Sequence, residues 1–132
     1  MSESKQSKAG ERDPLTERII GCAIEVHRIL GPGLLETAYQ QCMAHELALE
    51  RLAFRPQVTI PVAYKGTLLD CVYRIDIIVQ DSVVLELKSV DSLSRLHQAQ
   101  LLTYMRISGK TTGLLINFNV SRLVDGVNRL RL

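Results

Sequence analysis

Val83-Val84-Leu85-Glu86-Leu87-Lys88, which follows Tyr73-Arg74-Ile75-Asp76-Ile77-Ile78-Val79 across Gln80-Asp81-Ser82, is the stretch that decides the fold. The second run is apolar enough for a central strand, yet alternation sends Val84, Glu86 and Lys88 to one face and Val83, Leu85 and Leu87 to the other. In the first run alternation groups Arg74, Asp76 and Ile78, opposite Tyr73, Ile75, Ile77 and Val79. Register decides whether the two charged sides coincide, because a slip of one residue moves every side chain to the other face. Pairing Val79 with Val83 across a three-residue loop puts Asp76 opposite Glu86 and Arg74 opposite Lys88, and joins the fully apolar faces into a core. A two-residue loop would separate the acids.

Like charges directly across two strands destabilise a sheet, so two facing carboxylates call for compensation. Magnesium supplies it naturally, since it takes a few carboxylate oxygens and keeps several waters. Such an ion can polarise a phosphoryl oxygen and acidify water, with Lys88 orienting that water or stabilising developing charge. The bland alternative is that Glu86-Leu87-Lys88 is the wet face of an amphipathic sheet.

Outward from this hairpin, Asp13-Pro14 marks a helix start. Ile19, Ile20, Cys22, Ala23, Val26, Ile29 and Leu30 then form one apolar stripe over about four turns. Gly31-Pro32-Gly33 interrupts it, and a second helix from near Leu34 to near Ala53 turns Leu35, Ala38, Tyr39, Cys42, Met43 and Leu47 inward. Short β-rich runs follow, Val58 to Tyr64, Leu68 to Val79 and Val83 to Lys88, read as three consecutive antiparallel strands with a turn at Lys65-Gly66. Ser94 to Ser108 returns to helical spacing and closes at Gly109, before a strand from Thr112 to Phe118 and a weak one from Leu123 to Leu130.

The composition sets bounds on this plan. With 132 residues, 46% hydrophobic and 23% charged, the chain suits one core. Residues 13–132 are expected to form one domain after a disordered lead-in over residues 1–12, which lacks the features of a secretory signal. No apolar run approaches the ~20 residues of a membrane span, so no membrane partner and a cytoplasmic location are expected. Cys22, Cys42 and Cys71 are odd in number and widely spaced, which argues against a disulfide framework or a zinc site and suggests three small buried hydrophobes. A formal charge of +2 permits binding to a phosphate backbone without announcing it.

The chain also resembles the GxxExxY proteins of the PD-(D/E)XK nuclease superfamily, from about Leu15 to Phe118. The resemblance is carried by Gly33-Leu34-Leu35-Glu36-Thr37-Ala38-Tyr39, Tyr73-Arg74-Ile75-Asp76, Glu86-Leu87-Lys88, His97-Gln98-Ala99-Gln100 and Leu114-Leu115-Ile116-Asn117-Phe118. It implies an α/β, restriction-endonuclease-like three-layer core: two N-terminal helices, a mixed central sheet with antiparallel hairpins, and one helix after the Glu-Leu-Lys strand. It further implies that Glu36 joins Asp76 and Glu86 at a magnesium or manganese ion, directly or through water; a favourable charge at a helix N-terminus is the alternative. Gln100 and Tyr104, one turn apart on one helix face, resemble a substrate-positioning pair, with His97 on the same stripe or simply helix-terminal. Tyr39 either serves the site or packs its ring. Arg74 either contacts phosphate or neutralises Glu36 or Glu86. His27 and His45 read as exposed. Gln98 and Asn119 depart from the family pattern, where an acidic residue and a glycine are expected.

Two functions compete, with a structural scaffold or self-association role as a third possibility. A magnesium-dependent nuclease cutting DNA would use Asp76, Glu86 and Glu36 as ligands, the Leu87 carbonyl as a backbone ligand and Lys88 at the water, and requires acids converging on an ion-sized gap. A non-catalytic module that binds nucleic acid or protein would instead tie Asp76 or Glu86 into salt bridges with Arg74 and Lys88. A homodimer would enlarge the small surface available to grip a duplex.

Overall fold

The computed structural model describes residues 5, 6 and 13–132. Apart from Lys5 and Gln6, the expected lead-in over residues 1–12 lies outside the described residues. The elements run β1 (Lys5–Gln6), α1 (Pro14–Leu30), α2 (Glu36–Leu49), β2 (Phe54–Tyr64), β3 (Thr67–Val79), β4 (Val83–Lys88), α3 (Arg95–Ser108), β5 (Thr112–Asn117) and β6 (Val127–Arg131). The strands form one mixed sheet in the order β1-β6-β5-β4-β3-β2, in which only β4 and β5 pair in parallel. A parallel pair needs a crossover, and α3 is that crossover.

Local chemistry fixes the helix ends. The Thr16 N–H donates to Asp13 Oδ1 at 2.8 Å, which caps α1, and the Gly31 N–H donates to the His27 carbonyl at 2.7 Å where it stops. Ser94 caps α3, and Gly109, at φ +73, ends it in the left-handed conformation that glycine tolerates best. Helix α2 is shorter than its sequence pattern, because Leu35 occupies the cap position outside the helix and stays 77% exposed instead of packing inward. Ile29 is likewise exposed, on the outer side of the last turn of α1.

Two apolar layers enclose the sheet. On one side Ile19, Ala23 and Val26 of α1 and Met43 and Leu47 of α2 pack on Leu85, Leu87, Leu114 and Ile116. On the other, Leu101, Tyr104 and Met105 of α3 pack on Ile78, Val84 and Leu115. The result is the expected three-layer α/β core, with Glu86 and Lys88 on the α3 side by alternation from Val84. Strand β2 starts earlier than expected and runs through Pro56, which an edge strand accommodates because its outer N–H positions need no partner. The last segment is a short 3-10 turn, Leu123–Gly126, before β6. Among the described residues no helix is long and apolar enough to cross a membrane.

Candidate active site

The β3–β4 hairpin has the register derived from the three-residue loop: Val79 faces Val83, Ile78 faces Val84 and Ile77 faces Leu85. The next pair is Asp76 and Glu86, and there the backbone ladder gives way to side chains. The Asp76 N–H donates to Glu86 Oε2 at 3.0 Å, and the Leu87 N–H donates to Asp76 Oδ2 at 2.8 Å. Each carboxylate thus grips the other strand's backbone. The β3–β4 pairing ends at Ile77 and Leu85, so the expected pairing of Arg74 with Lys88 is not made, while on its other edge β3 continues beside β2 with Arg74 facing Thr59.

The fork opens into a cleft of about 920 Å³. Asp76, Glu86, Lys88 and Arg74 line it from the strands, and Glu36 lines it from the first turn of α2. Gln100 and Tyr104 reach the same cleft from α3. Lys88 Nζ stands 4.0 Å from Glu86 Oε1. Glu36 Oε2 accepts a long hydrogen bond, 3.4 Å, from the Ser89 N–H at the end of β4. That strand end is held from both sides: Ser89 Oγ donates to the Leu34 carbonyl at 2.6 Å, and buried Asn117 exchanges two hydrogen bonds with the Val90 backbone.

Electrostatically the acids are under tension. Burial pushes the Glu86 carboxyl up to about 8, with the Asp76 charge adding to the rise, while the Asp76 N–H and Lys88 only partly offset it. Burial also raises Asp76, against the Leu87 N–H and Lys88, and Glu36 adds to that rise. The Tyr104 phenol is pushed up by burial and then by Glu86 and Asp76. Two desolvated carboxylates with one amine nearby leave a deficit of positive charge.

Two residues that sequence reasoning missed complete this arrangement. Gln40 Nε2 donates to Asp76 Oδ1 at 3.0 Å, and Gln57 Nε2 donates to Gln40 Oε1 at 2.9 Å. The Asp76 carboxylate therefore has a side-chain donor on one oxygen and a backbone donor on the other, which fixes its plane. Gln57 takes φ +53 within β2, opposite the fork, a conformation uncommon for a residue with a side chain. The spacing of Glu36 and Gln40, one helical turn, is the signal that could have found Gln40.

For Tyr39 and His97 the structure shows the packing and helix-terminal alternatives, and the expectations for His27 and the cysteines are corrected. Tyr39 does not reach the cleft: it is fully buried, its ring stacks on Phe118 at 4.4 Å, and its hydroxyl donates to the Gly31 carbonyl at 2.5 Å and accepts from the Leu34 N–H. It braces the Gly31-Pro32-Gly33 turn that delivers Glu36. His97 lines a neighbouring groove, and its Nδ1 accepts from the Ser94 N–H at 3.0 Å in a capping box. His27 is buried, not exposed, with Nε2 2.8 Å from the Val120 carbonyl. Cys71 is exposed and Cys42 half-buried, so only Cys22 is the buried hydrophobe expected of all three.

The donor set fits a hard divalent cation of a particular kind. Among the described residues no three His, Cys, Asp or Glu side chains converge as a ready-made ion site. Two adjacent carboxylates short of positive charge suit an ion that keeps most of its water, as magnesium and manganese do. A family model described as the PD-(D/E)XK nuclease superfamily matches residues 13–130. Neither a curated protein nor a solved structure matches the chain.

Proposed function

Because the chain belongs to the PD-(D/E)XK nuclease superfamily, we propose that it is a divalent-metal-dependent nuclease that hydrolyses phosphodiester bonds, with DNA as substrate and magnesium or manganese as the ion. Divalent metal ions are the usual cofactors of the superfamily. The observation that carries the proposal is the pairing of half-buried Asp76 with buried Glu86 at the β3–β4 fork, with Lys88 4.0 Å from Glu86 in an open cleft. Asp76 and Glu86 would hold the ion, Glu36 would reach it through water, and the Leu87 carbonyl would add a backbone ligand. When bound, the cation supplies Lewis acidity that polarises a phosphoryl oxygen and eases loss of a proton from water.

The protein's own groups account for the rest. Gln40 and the Leu87 N–H hold the Asp76 carboxylate in one orientation, so its lone pairs are aimed before any ligand arrives. Lys88 stands where an ammonium can orient the attacking water and stabilise charge on a phosphoryl oxygen. Arg74 supplies a second cation for phosphate, while Gln100 and Tyr104 line the α3 wall against the strand. Hydrolysis forms a bond from water oxygen to phosphorus and breaks the bond to the leaving sugar oxygen, which departs with a proton. Gly33-Leu34-Leu35-Glu36-Thr37-Ala38-Tyr39 supports membership of the GxxExxY group within the superfamily. The cytoplasm is the proposed location, and a homodimer the proposed assembly, on the small surface of one copy.

A non-catalytic module that keeps the fold is favoured by one observation, the Glu86–Lys88 ion pair. Cleavage assays separate the two. Labelled single- and double-stranded DNA and RNA are incubated with wild type and Lys88→Ala, in EDTA, magnesium and manganese. Metal-dependent cleavage that drops at least 100-fold in Lys88→Ala supports a nuclease, and binding without cleavage under every condition supports the module.

A further inference from the structure

The cleft does not end at the acids. A groove of about 490 Å³ continues from it, sharing Tyr73, Lys88, Gln100 and Tyr104 with the cleft and running on past His97 and Thr103 of α3. At the junction the Tyr73 and Tyr104 rings meet at a tilt, 54° between planes and 5.6 Å between centroids. Their exposures differ sharply: Tyr104 is 6% exposed and Tyr73 is 40% exposed. A tilted contact commits only part of the Tyr73 ring, so Tyr104 is a buttress and Tyr73 presents an open aromatic surface beside the phosphate-binding residues.

We propose that this groove is a nucleobase subsite, in which an unpaired base of the substrate strand stacks on Tyr73. The inference rests on the nuclease proposal and adds to it a preference for single-stranded or frayed nucleic acid. Within a duplex both faces of each base are covered by neighbouring pairs, whereas an unpaired base offers its π-face to an aromatic side chain. Continuity with the cleft gives the occupant: a strand whose phosphate lies near Lys88 and Arg74 must send its next nucleoside somewhere, and this groove opens from the same residues. Gln100 and Thr103 add hydrogen-bonding groups along the wall, which suits a base edge better than a peptide's apolar side chain.

The test uses the whole 132-residue chain in EDTA, so that binding is read without cleavage. Single-stranded 12-mers and the matching duplexes, each with one 2-aminopurine, are titrated against wild type, Tyr73→Ala and Tyr73→Phe, with circular dichroism confirming that the variants fold. We expect wild type to bind the single strand at least 10-fold more tightly than the duplex, with quenched 2-aminopurine fluorescence. Loss of one base–aromatic stack corresponds to roughly a 10-fold weakening, expected in Tyr73→Ala together with loss of the quench, whereas Tyr73→Phe keeps both. Equal affinity for duplex and single strand, unchanged binding by Tyr73→Ala, or loss in Tyr73→Phe equal to that in Tyr73→Ala overturns the subsite. Cleavage of the single strand by a folded Tyr73→Ala at the wild-type rate overturns it too while leaving the nuclease proposal intact. Single-strand binding with the Tyr73 dependence, but no cleavage in magnesium or manganese, supports the subsite and sinks the nuclease proposal alone.

Discussion

Replacing Glu86 by glutamine should stabilise the metal-free protein at pH 8, although it removes a group central to the proposed chemistry. The Glu86 carboxyl ordinarily titrates at 4.5 and is pushed up to about 8 in the fold, chiefly by burial and then by the Asp76 charge. The folded protein therefore binds this proton more tightly than the unfolded chain does. Stability from this source is full below pH 4.5 and is lost as pH rises through about 8. At about 1.4 kcal/mol per pH unit the shift corresponds to at most roughly 5 kcal/mol. Asp76 shares the repulsion, and an amide is a weaker acceptor than a carboxylate for the Asp76 N–H, so the net gain from Glu86→Gln is on the order of 2–3 kcal/mol. Urea denaturation in EDTA at pH 5 and pH 8 reads it directly. Wild type should weaken between the two, Glu86→Gln should change much less, and the variant should be the more stable at pH 8. A variant less stable than wild type at pH 8, or a wild type that strengthens from pH 5 to 8, would refute the charge tension at the fork.

Four further outcomes follow from particular contacts. Gln40→Ala leaves Asp76 Oδ1 without its side-chain donor and should weaken manganese binding roughly 10-fold or more, read by calorimetry, as losses of supporting partners at metal sites do. Tyr39→Phe removes the hydroxyl that bridges Gly31 and Leu34 and should cost about 1–2 kcal/mol in urea denaturation, while cleavage at saturating metal stays within about 3-fold of wild type. Gly126→Ala places a methyl 2.1 Å from the Asn117 carbonyl oxygen, a backbone atom that cannot swing aside, and should cost about 2–3 kcal/mol. Arg74→Ala should weaken nucleic-acid binding and lower the slope of log affinity against log salt by about 1, since it removes one phosphate contact.

The hairpin was the most legible part of the chain, because a three-residue loop and two alternating runs leave little freedom of register. Asp76 and Glu86 come together next to the paired residues, but the expected single face of Tyr73, Ile75, Ile77 and Val79 does not hold: Ile75 joins Ile78 and Val84 on the α3 side while Ile77 and Val79 lie in the opposite layer. Opposition of Arg74 and Lys88 failed for a reason that strand alternation cannot encode: the carboxylates bond to backbone N–H groups, and the strands part at that point. Gln40 carried only the one-turn spacing from Glu36 as a signal and Gln57 carried none, and only the packing of α2 over the fork makes Gln40 a partner of Asp76 and Gln57 a partner of Gln40. Tyr39 shows the same limit from the other direction. Its place in the Gly33–Tyr39 motif suggested a site role, yet its hydroxyl is spent on the turn eight residues earlier. His27 sits on the apolar side of α1, and the loop carbonyl of Val120 that accounts for its burial is far away in sequence.

The central claim is that Asp76 and Glu86 together hold a divalent cation, and calorimetric titration of manganese into wild type, Asp76→Asn and Glu86→Gln tests it most directly. These substitutions keep the side-chain shape and remove one charge each, so loss of binding reports the ion rather than the fold. Saturable 1:1 binding to wild type, at least 10-fold weaker in both variants, is the predicted result. Binding of equal strength in all three proteins, or none to wild type even with a non-hydrolysable oligonucleotide present, would contradict the account.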